Sequence, residues 1–581
     1  MTVASDDYYD LGGHRWPQEG LGDEAQRWFD RGLNWTYGYN HLEAVRCFDR
    51  CLEVQPGCAM AEWGAAYALG PNYNAPWNTM TNDGLKEMNR RAAAAAGMAK
   101  GPLEGALTSA LLLRYPRDSM QGADTREWDI AFADAMVKAA EDYADLADVQ
   151  ALAAEALMCI TPWNLWDLKA GGPAPPARTL EALQLLDKAC EMVKEREQPP
   201  HPGLCHLLVH LLEMSPYPER ALPQADALVE LASGTGHLTH MPTHIYILCG
   251  EYYSAMLWND RAAAADRRFL AREGDLTFYT LYCAHNVHFK MYAAMFLGHY
   301  GHSMEAVREM EDLLPERLLR SATPGGFPFI NIGDAFIALR YHVWVRFGRW
   351  QEILAHPLPG DVEFYCVTAC TAHYARSLAH ALGASRDLSL AEEERRAFEE
   401  AFAKIPSDWH GVPGLGRRLH NNTCHDILSV ARKVLEGELA YQQGRHEEGF
   451  ALLREAGVLE SSPPEGRMAY DEPWGFMQPT RHALGALLLE QGKLAEAEAA
   501  YREDLGLDAG VPRPYQHPDN VWALHGLCEA LRRQGRPDEM LERRLRLAAA
   551  RADIEVAASC FCRCTASCCQ GVEAPAQSSK I

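Results

Sequence analysis

Long apolar runs are missing. No uninterrupted hydrophobic stretch approaches the roughly 18 residues that cross a bilayer, so no membrane span is expected. The opening residues, MTVASDDYYDLGGHRW, are too acidic and polar for a secretory signal or an Arg-rich transit peptide. Basic charge is scarce as well: 55 Lys and Arg stand against 79 Asp and Glu, a formal charge of −24. A phosphate backbone or an anionic bilayer needs clustered Lys and Arg, so neither nucleic acid nor a membrane surface is the expected partner. Runs rich in Val, Ile and Thr hardly occur, which excludes a sheet-based fold. There is no GxGxxG behind a strand, no GxxxxGK[ST] and no GxSxG, so no nucleotide cofactor and no nucleophile elbow are expected. Gly64 to Pro71 reads as a helix and its end rather than a phosphate loop. The 45 Gly and 33 Pro are too few for a collagen-like or largely disordered chain.

What is present is helix-pair patterning. A length of 581 residues fits about four compact domains, or one long repeat array. From Trp28 to Pro56, the residues Trp28, Gly32, Ala44, Phe48 and Pro56 recur at the spacing of a two-helix repeat. The large Trp28 is expected to fill the gap between the helices, Gly32 and Ala44 to allow close approach, and Pro56 to stop the second helix. Leu484, Gly485, Leu488, Ala497 and Tyr501 repeat the pattern, and Trp522 with Gly526 begins another copy. Short glycine turns are expected at Gly250–Glu251, Tyr300–Gly301, Gly348–Arg349 and Gly444–Arg445, and in the QGKL and QGRP stretches, each glycine ending one helix before the next begins.

Composition shifts divide the chain into an N-terminal extension over 1–20, N-terminal helix pairs over 21–170, and Pro/Gly loops with a connecting helix over 171–203. Central His-rich repeats follow over 204–380, C-terminal repeats over 381–558, and a Cys-rich disordered tail over 559–581, expected to be dispensable for folding.

Histidine is the residue that points to chemistry. Between His201 and His288 lie eight: His201, His206, His210, His237, His240, His244, His285 and His288, about twice the chain average. His206, His210 and Glu213 stand at i, i+4 and i+7, so two imidazoles and a carboxylate share one helical face. This HxxxHxxE spacing lacks the glutamate of HExxH and is not the zincin signature. In GHLTHMPTHIY, Pro242 suits the first turn of a helix, with His237 and His240 in the entering loop and His244 just inside. His206 to His240 and His210 to His244 are both 34-residue steps, and His244 to His285 is 41, about one repeat each. Neighbouring helices pack about 10 Å apart. The expected ligand set is therefore His206, His210, Glu213, His240, His244, His285 and His288, with the nitrogens of His206, His210, His244 and one of His285 or His288 within about 5 Å of a common point. Secondary candidates are His201, His237, Glu155 and His373. Such ligands suit a divalent transition metal, Zn, Fe or Cu. The alternatives are core histidines satisfied by hydrogen bonds, or a groove patch that binds an acidic or polar ligand.

Twelve of the 17 cysteines are scattered from Cys47 to Cys528 in helical patterns, where thiols act as small hydrophobes; Cys366 and Cys370 are of this kind. The other five crowd CFCRCTASCC. Cys560, Cys562 and Cys564 form a Cys-x-Cys-x-Cys run of the kind that takes soft metals or exchanges disulfides, without the paired CxxC of a zinc ribbon. If the segment docks on the fold, Cys560 and Cys562 become secondary ligand candidates. With no signal peptide, free thiols in a reducing, cytoplasmic setting are expected.

The Trp28 to Pro56 pattern resembles the tetratricopeptide repeat (TPR) family. The stretches NWTYGYNHLEAVRCFDRCLEVQPGCAMAEWGAAYALGPN, HPGLCHLLVHLLEMSPYPERAL, GHLTHMPTHIYILCGEYYSA and ADIEVAASCFC are similar to a family of long bacterial TPR proteins of unsettled activity, over about residues 24 to 562. The resemblance implies an all-α TPR-like solenoid of antiparallel helix pairs, about ten to twelve of them. Two functions remain open on these residues. One is a scaffold whose inner groove takes a protein or peptide partner, with a transition-metal site on its wall. The other is a metal-dependent enzyme, hydrolase or oxidoreductase, acting on a small-molecule substrate.

Overall fold

The computed structural model describes residues 8–231, 233–406, 416–461 and 468–563. These residues are helical almost throughout. The strands among them are two short antiparallel ribbons, Trp166–Asp167 with Gly172–Pro173 and Arg418–Leu419 with Asn422–Thr423. The chain divides into two compact units. The first is Met1–Ile245 with Trp258–Asn286 and Thr323–Phe327; the second is Tyr246–Leu257, Val287–Ala322 and Pro328–Ile581.

The first unit is a run of antiparallel helices. These are α1 (Asp23–Tyr37), α2 (His41–Val54), α3 (Ala59–Leu69), α4 (Asn82–Met98), α5 (Pro102–Arg114), α6 (Thr125–Asp142), α7 (Ala147–Met158), α8 (Thr179–Glu195) and α9 (Pro202–Glu213). Each packs on the next, and α9 touches α1 and α7 as well as α8. Helix starts follow local chemistry: the Asn40 side chain accepts from the Glu43 amide at the start of α2, Thr81 from Gly84 at α4, and Asp124 from Arg126 at α6.

The repeat packing turns on one wedge. Phe48 is 1% exposed. A Cβ on Gly32 of α1 would lie 2.7 Å from its ring, and one on Gly64 of α3 would lie 2.6 Å away. The ring thus sits between two helices that carry no Cβ at the contact. Trp28, expected to fill the helix gap, is half-exposed instead; it meets Tyr8 edge-on and lies under the Arg31 guanidinium.

The second unit repeats the device. Its helices pack in order: Ile330–Arg346 on Cys366–Leu382, that helix on Leu388–Phe402, Cys424–Gln442 on His446–Ser461, Thr480–Glu490 on Leu494–Asp504, then Val521–Arg533 and Glu539–Ala549. Tyr501 is the wedge, 2.4 Å from a Cβ built on Gly485 and 2.2 Å from one built on Gly526. The glycine turns fall as expected at Gly250, Gly348, Gly444, Gly492 and Gly535, all with φ between 62 and 82°. One is displaced: Gly301 lies inside the helix Tyr300–Leu313, and the turn is made by Gly298 at φ 71°. There the His299 amide donates to the Ala294 carbonyl, closing the preceding helix.

The segment expected to start the disordered tail is docked over its first five residues. Ser559 bonds the Tyr501 hydroxyl at 2.6 Å and donates to the His482 carbonyl at 3.2 Å, while Arg346 Nη2 donates to its carbonyl at 2.9 Å. Phe561 fills the space above Gly348, and Arg563 pairs both nitrogens with Glu529 at 2.7 Å. The segment is held not by a helical face of its own but by Tyr501, Arg346, Glu529 and the turn at Gly348. Cys564, Cys568 and Cys569 lie outside the described residues.

Phe48→Ala should empty the wedge and destabilise the first unit by about 3–5 kcal/mol, read as a lower urea midpoint; a cost below about 1 kcal/mol would show that the ring is not holding the helices. Truncation after Ala558 should lower the thermal midpoint by several degrees, at about 2–4 °C per kcal/mol for a unit of this size; an unchanged midpoint would show that the docked contacts of Ser559, Phe561 and Arg563 do not stabilise the unit.

Candidate metal centre

Helix α9 begins with Pro202 in its first turn and is capped by His201, whose side chain accepts from the Leu204 amide. Its four-residue period carries His206 and His210 into the interior, each 1% exposed, with Glu213 at 0%. The stretch expected as a loop is a short helix, Gly236–His240, followed directly by Pro242–Leu248. His237 and His240 therefore sit on a helix rather than in an entering loop, and His244 lies on the next.

The six imidazoles form two groups. The nearest ring nitrogens of His206, His210 and His237 all lie within 4.8 Å of one another, and so do those of His240, His244 and His285. The groups adjoin: ring centres are 5.7 Å apart between His210 and His244 and 5.8 Å between His237 and His240. His244 approaches His210, as expected, but has its nearest nitrogen neighbours in the other group. His237, a secondary candidate on sequence, completes the first group, and His244 belongs to the second. The 34-residue steps do bring equivalent positions near one another, and His240 and His244, at i and i+4, share one helical face.

Hydrogen bonds set the tautomers. His206 Nδ1 donates to the Tyr37 carbonyl at 2.6 Å, which leaves Nε2 as the lone-pair nitrogen. Glu213 holds two rings at once, accepting from His210 Nδ1 at 3.0 Å through one oxygen and from His244 Nδ1 at 2.6 Å through the other. Thr243 donates to the His240 carbonyl, and Asn259 Nδ2 donates to Thr243, so the Asn259 oxygen accepts from His240 Nδ1 at 2.8 Å. These are the backbone, carboxylate and amide partners that orient ligating histidines.

Two consequences follow. The Nε2 atoms of His206 and His210 and both ring nitrogens of His237 are buried with no hydrogen-bond partner, each at a cost of about 1–3 kcal/mol. In the second group, His240 Nε2 faces His244 Nε2 at 2.8 Å. Burial pushes His206 and His240 down to about 3. His210, His237 and His244 are driven well below the ordinary imidazole range, by burial first and by neighbouring imidazoles second. All stay neutral, the form that binds metal.

Tyr39 roofs the first group. It occupies the turn between α1 and α2 at φ 52°, a left-handed conformation costly for a bulky residue. Its ring stacks on His210 and His237 with centres 5.9 and 5.6 Å away. Its hydroxyl donates to Glu155 at 2.9 Å, and Tyr67 donates to the other oxygen of that carboxylate at 2.5 Å. Glu155 thus stands behind the roof rather than among the ligands, its carboxyl raised by burial.

The remaining candidates lie elsewhere. His201 bonds Asp148 at 3.1 Å beside His14 and Tyr37, which bond the same oxygen at 2.9 and 2.8 Å. His288 belongs to the second unit, where it stacks on His420 and bonds it at 3.1 Å, because it sits nearly one turn beyond His285. His373, also in the second unit, pairs with Glu394 at 2.6 Å. Cys560 and Cys562 approach Glu438. Sequence reasoning missed Tyr39, Asn259, Asp148, His14 and Glu438. No spacing rule links them to the histidines, and only the positive φ of Tyr39, invisible in sequence, marks that residue.

Gly203 brings α9 against Tyr37, since a Cβ there would fall 2.6 Å from the tyrosine ring. Gly203→Ala should therefore push α9 outward and cost about 1–3 kcal/mol; an unchanged thermal midpoint would contradict that close approach.

No protein-family description matches the chain, and no curated protein is similar to it in sequence. Among solved structures it is similar to the Cut9–Hcn1 heterotetramer of the APC/C, at 12% identity over 91% of this chain and 77% of that one, TM-score 0.31. It is also similar to yeast Tom70, at 13% identity over 90% and 99%, TM-score 0.28. A third is Naa15/Naa10 bound to HypK-THB, at 12% over 91% and 73%, TM-score 0.19. Scores this low add nothing about the site. On its own helices, the chain is an all-α array of antiparallel, tetratricopeptide-like helix pairs.

Proposed function

We propose that this helical-repeat protein is metal-dependent, its first unit binding about two transition-metal ions, one on His206, His210 and His237 and one on His240, His244 and His285. The observation that carries this reading is the close grouping of buried imidazoles, with the Nε2 atoms of His206 and His210 and both ring nitrogens of His237 buried without a hydrogen-bond partner. Glu213, Asn259 and the Tyr37 carbonyl act behind the ligands by fixing which nitrogen is presented. An all-imidazole donor set suits Zn, Cu or Fe. Three protein ligands leave a coordination position open, as in catalytic rather than structural sites, and an ion bound there would supply Lewis acidity or an activated small ligand. A peptide-binding groove lined by these histidines fits less well, because five of the six are buried.

The test is elemental analysis of the chelator-stripped full chain after separate loading with Zn²⁺, Cu²⁺ and Fe²⁺. About two imidazole-bound ions per chain are expected. His237→Ala should remove one and His240→Ala the other, with helix content unchanged by circular dichroism, while His373→Ala should remove none. Glu213→Gln should weaken affinity by about 10–100-fold. A chain that takes up none of these ions, or one that retains both after His210→Ala and His244→Ala are combined, would overturn the proposal.

A further inference from the structure

The second unit carries a chemically different donor set that the histidine centre does not use. Cys560 and Cys562 lie on the docked segment, and Glu438 lies on the helix Cys424–Gln442. The two sulfurs and a Glu438 oxygen all lie within 4.8 Å of one another. Glu438 is 4% exposed, and its Oε2 has no hydrogen-bond partner. The segment is aimed by contacts on both sides: Ser559 by Tyr501 and Arg346, Arg563 by Glu529, and the Cys562 carbonyl by Gln442, which donates at 3.4 Å. The Cys562 amide donates to the Cys560 sulfur at 3.3 Å, an arrangement that favours thiolate. A cavity of about 10 Å³, room for one water, is lined by Glu438, Cys560, Arg346, Tyr374 and His482 among others.

We propose that Glu438, Cys560 and Cys562 bind a zinc-class divalent ion, with water from the adjoining cavity as fourth ligand. Two thiolates and a carboxylate are a donor set for Zn²⁺, whereas Cu(I) is selected by soft sulfur alone. The buried Arg346 guanidinium beside them adds a positive charge that favours ionised ligands. Binding releases the two thiol protons and the carboxyl proton. Docking of the segment and metal binding then support each other, since the ion ties the helix Cys424–Gln442 to the end of the described chain.

The experiment is titration of Co²⁺ into the reduced, chelator-stripped full chain, followed by the thiolate-to-cobalt charge-transfer band in the near ultraviolet and by competition with Zn²⁺. A band is expected, lost in Cys560→Ser and Cys562→Ser, and Glu438→Gln should weaken binding by about tenfold or more. It should persist in His210→Ala, which separates this site from the histidine centre. It should also persist when Cys564, Cys568 and Cys569 are all replaced by Ser. Absence of the band, its survival in Cys562→Ser, its loss in that triple variant, or uptake of Cu(I) without Co²⁺ or Zn²⁺ would overturn the proposal. The Glu438→Gln result keeps the test decisive if a cysteine variant fails to fold.

Discussion

An aromatic ring pressed between two helices that lack a Cβ sets the spacing on which the rest of the structure depends. Phe48 does this between Gly32 and Gly64, and Tyr501 between Gly485 and Gly526. In each case the ring comes from the second helix of one pair and touches the first helices of its own and the following pair. Close-packed interiors tolerate neither a missing ring nor an added methyl at such a point, so the pairs stack in one register. The same constraint reappears where α9 meets Tyr37 through Gly203, and it is this close approach that puts His206 within reach of the Tyr37 carbonyl.

From that register the histidine chemistry follows. Burial keeps the imidazoles neutral, and one donated proton per ring decides which nitrogen keeps its lone pair. Glu213 does this for two rings with one carboxylate, so its two oxygens couple the groups. A buried carboxylate satisfied by two imidazole donors is stable without a metal; the Nε2 atoms of His206 and His210 and both ring nitrogens of His237 are buried without such a partner. The arrangement is asymmetric in that sense, with its orienting partners complete and its inward-facing atoms open, and this separates it from an ordinary core of hydrogen-bonded histidines such as the His482–Asp504–His517 network. There the ring nitrogens of His482 are engaged by Arg346 and Asp504, and His517 bonds the same carboxylate.

Much of this was legible in the sequence. The all-helical class, the glycine turns and the pairing of His206 with His210 followed from local periodicity, because helices and their ends are encoded within a few residues. The 34-residue spacing indicated that the histidine stretches come together. The detail of the grouping was not legible: His244 lies near His210 but pairs with His240, four residues before it on the same face, and His237 stands beside His206 and His210. His288 fell outside the cluster because a step of three along a helix is also a rise of about 4.5 Å.

Composition, turns and repeat spacing are properties of neighbouring residues, and the sequence by itself determined them: helix pairs throughout, a histidine-rich centre, a cysteine-rich end. Which atoms meet was decided only by tertiary structure. Tyr39 and Asn259 reach the imidazoles, and Glu438 reaches Cys560 and Cys562, across separations of more than one hundred residues in places, with no periodicity to announce it. The physical reason is that a donor set depends on distances of a few ångströms and on the direction of single lone pairs. Those are fixed by how rings, glycines and buried carboxylates pack between helices, not by the order in which the residues occur.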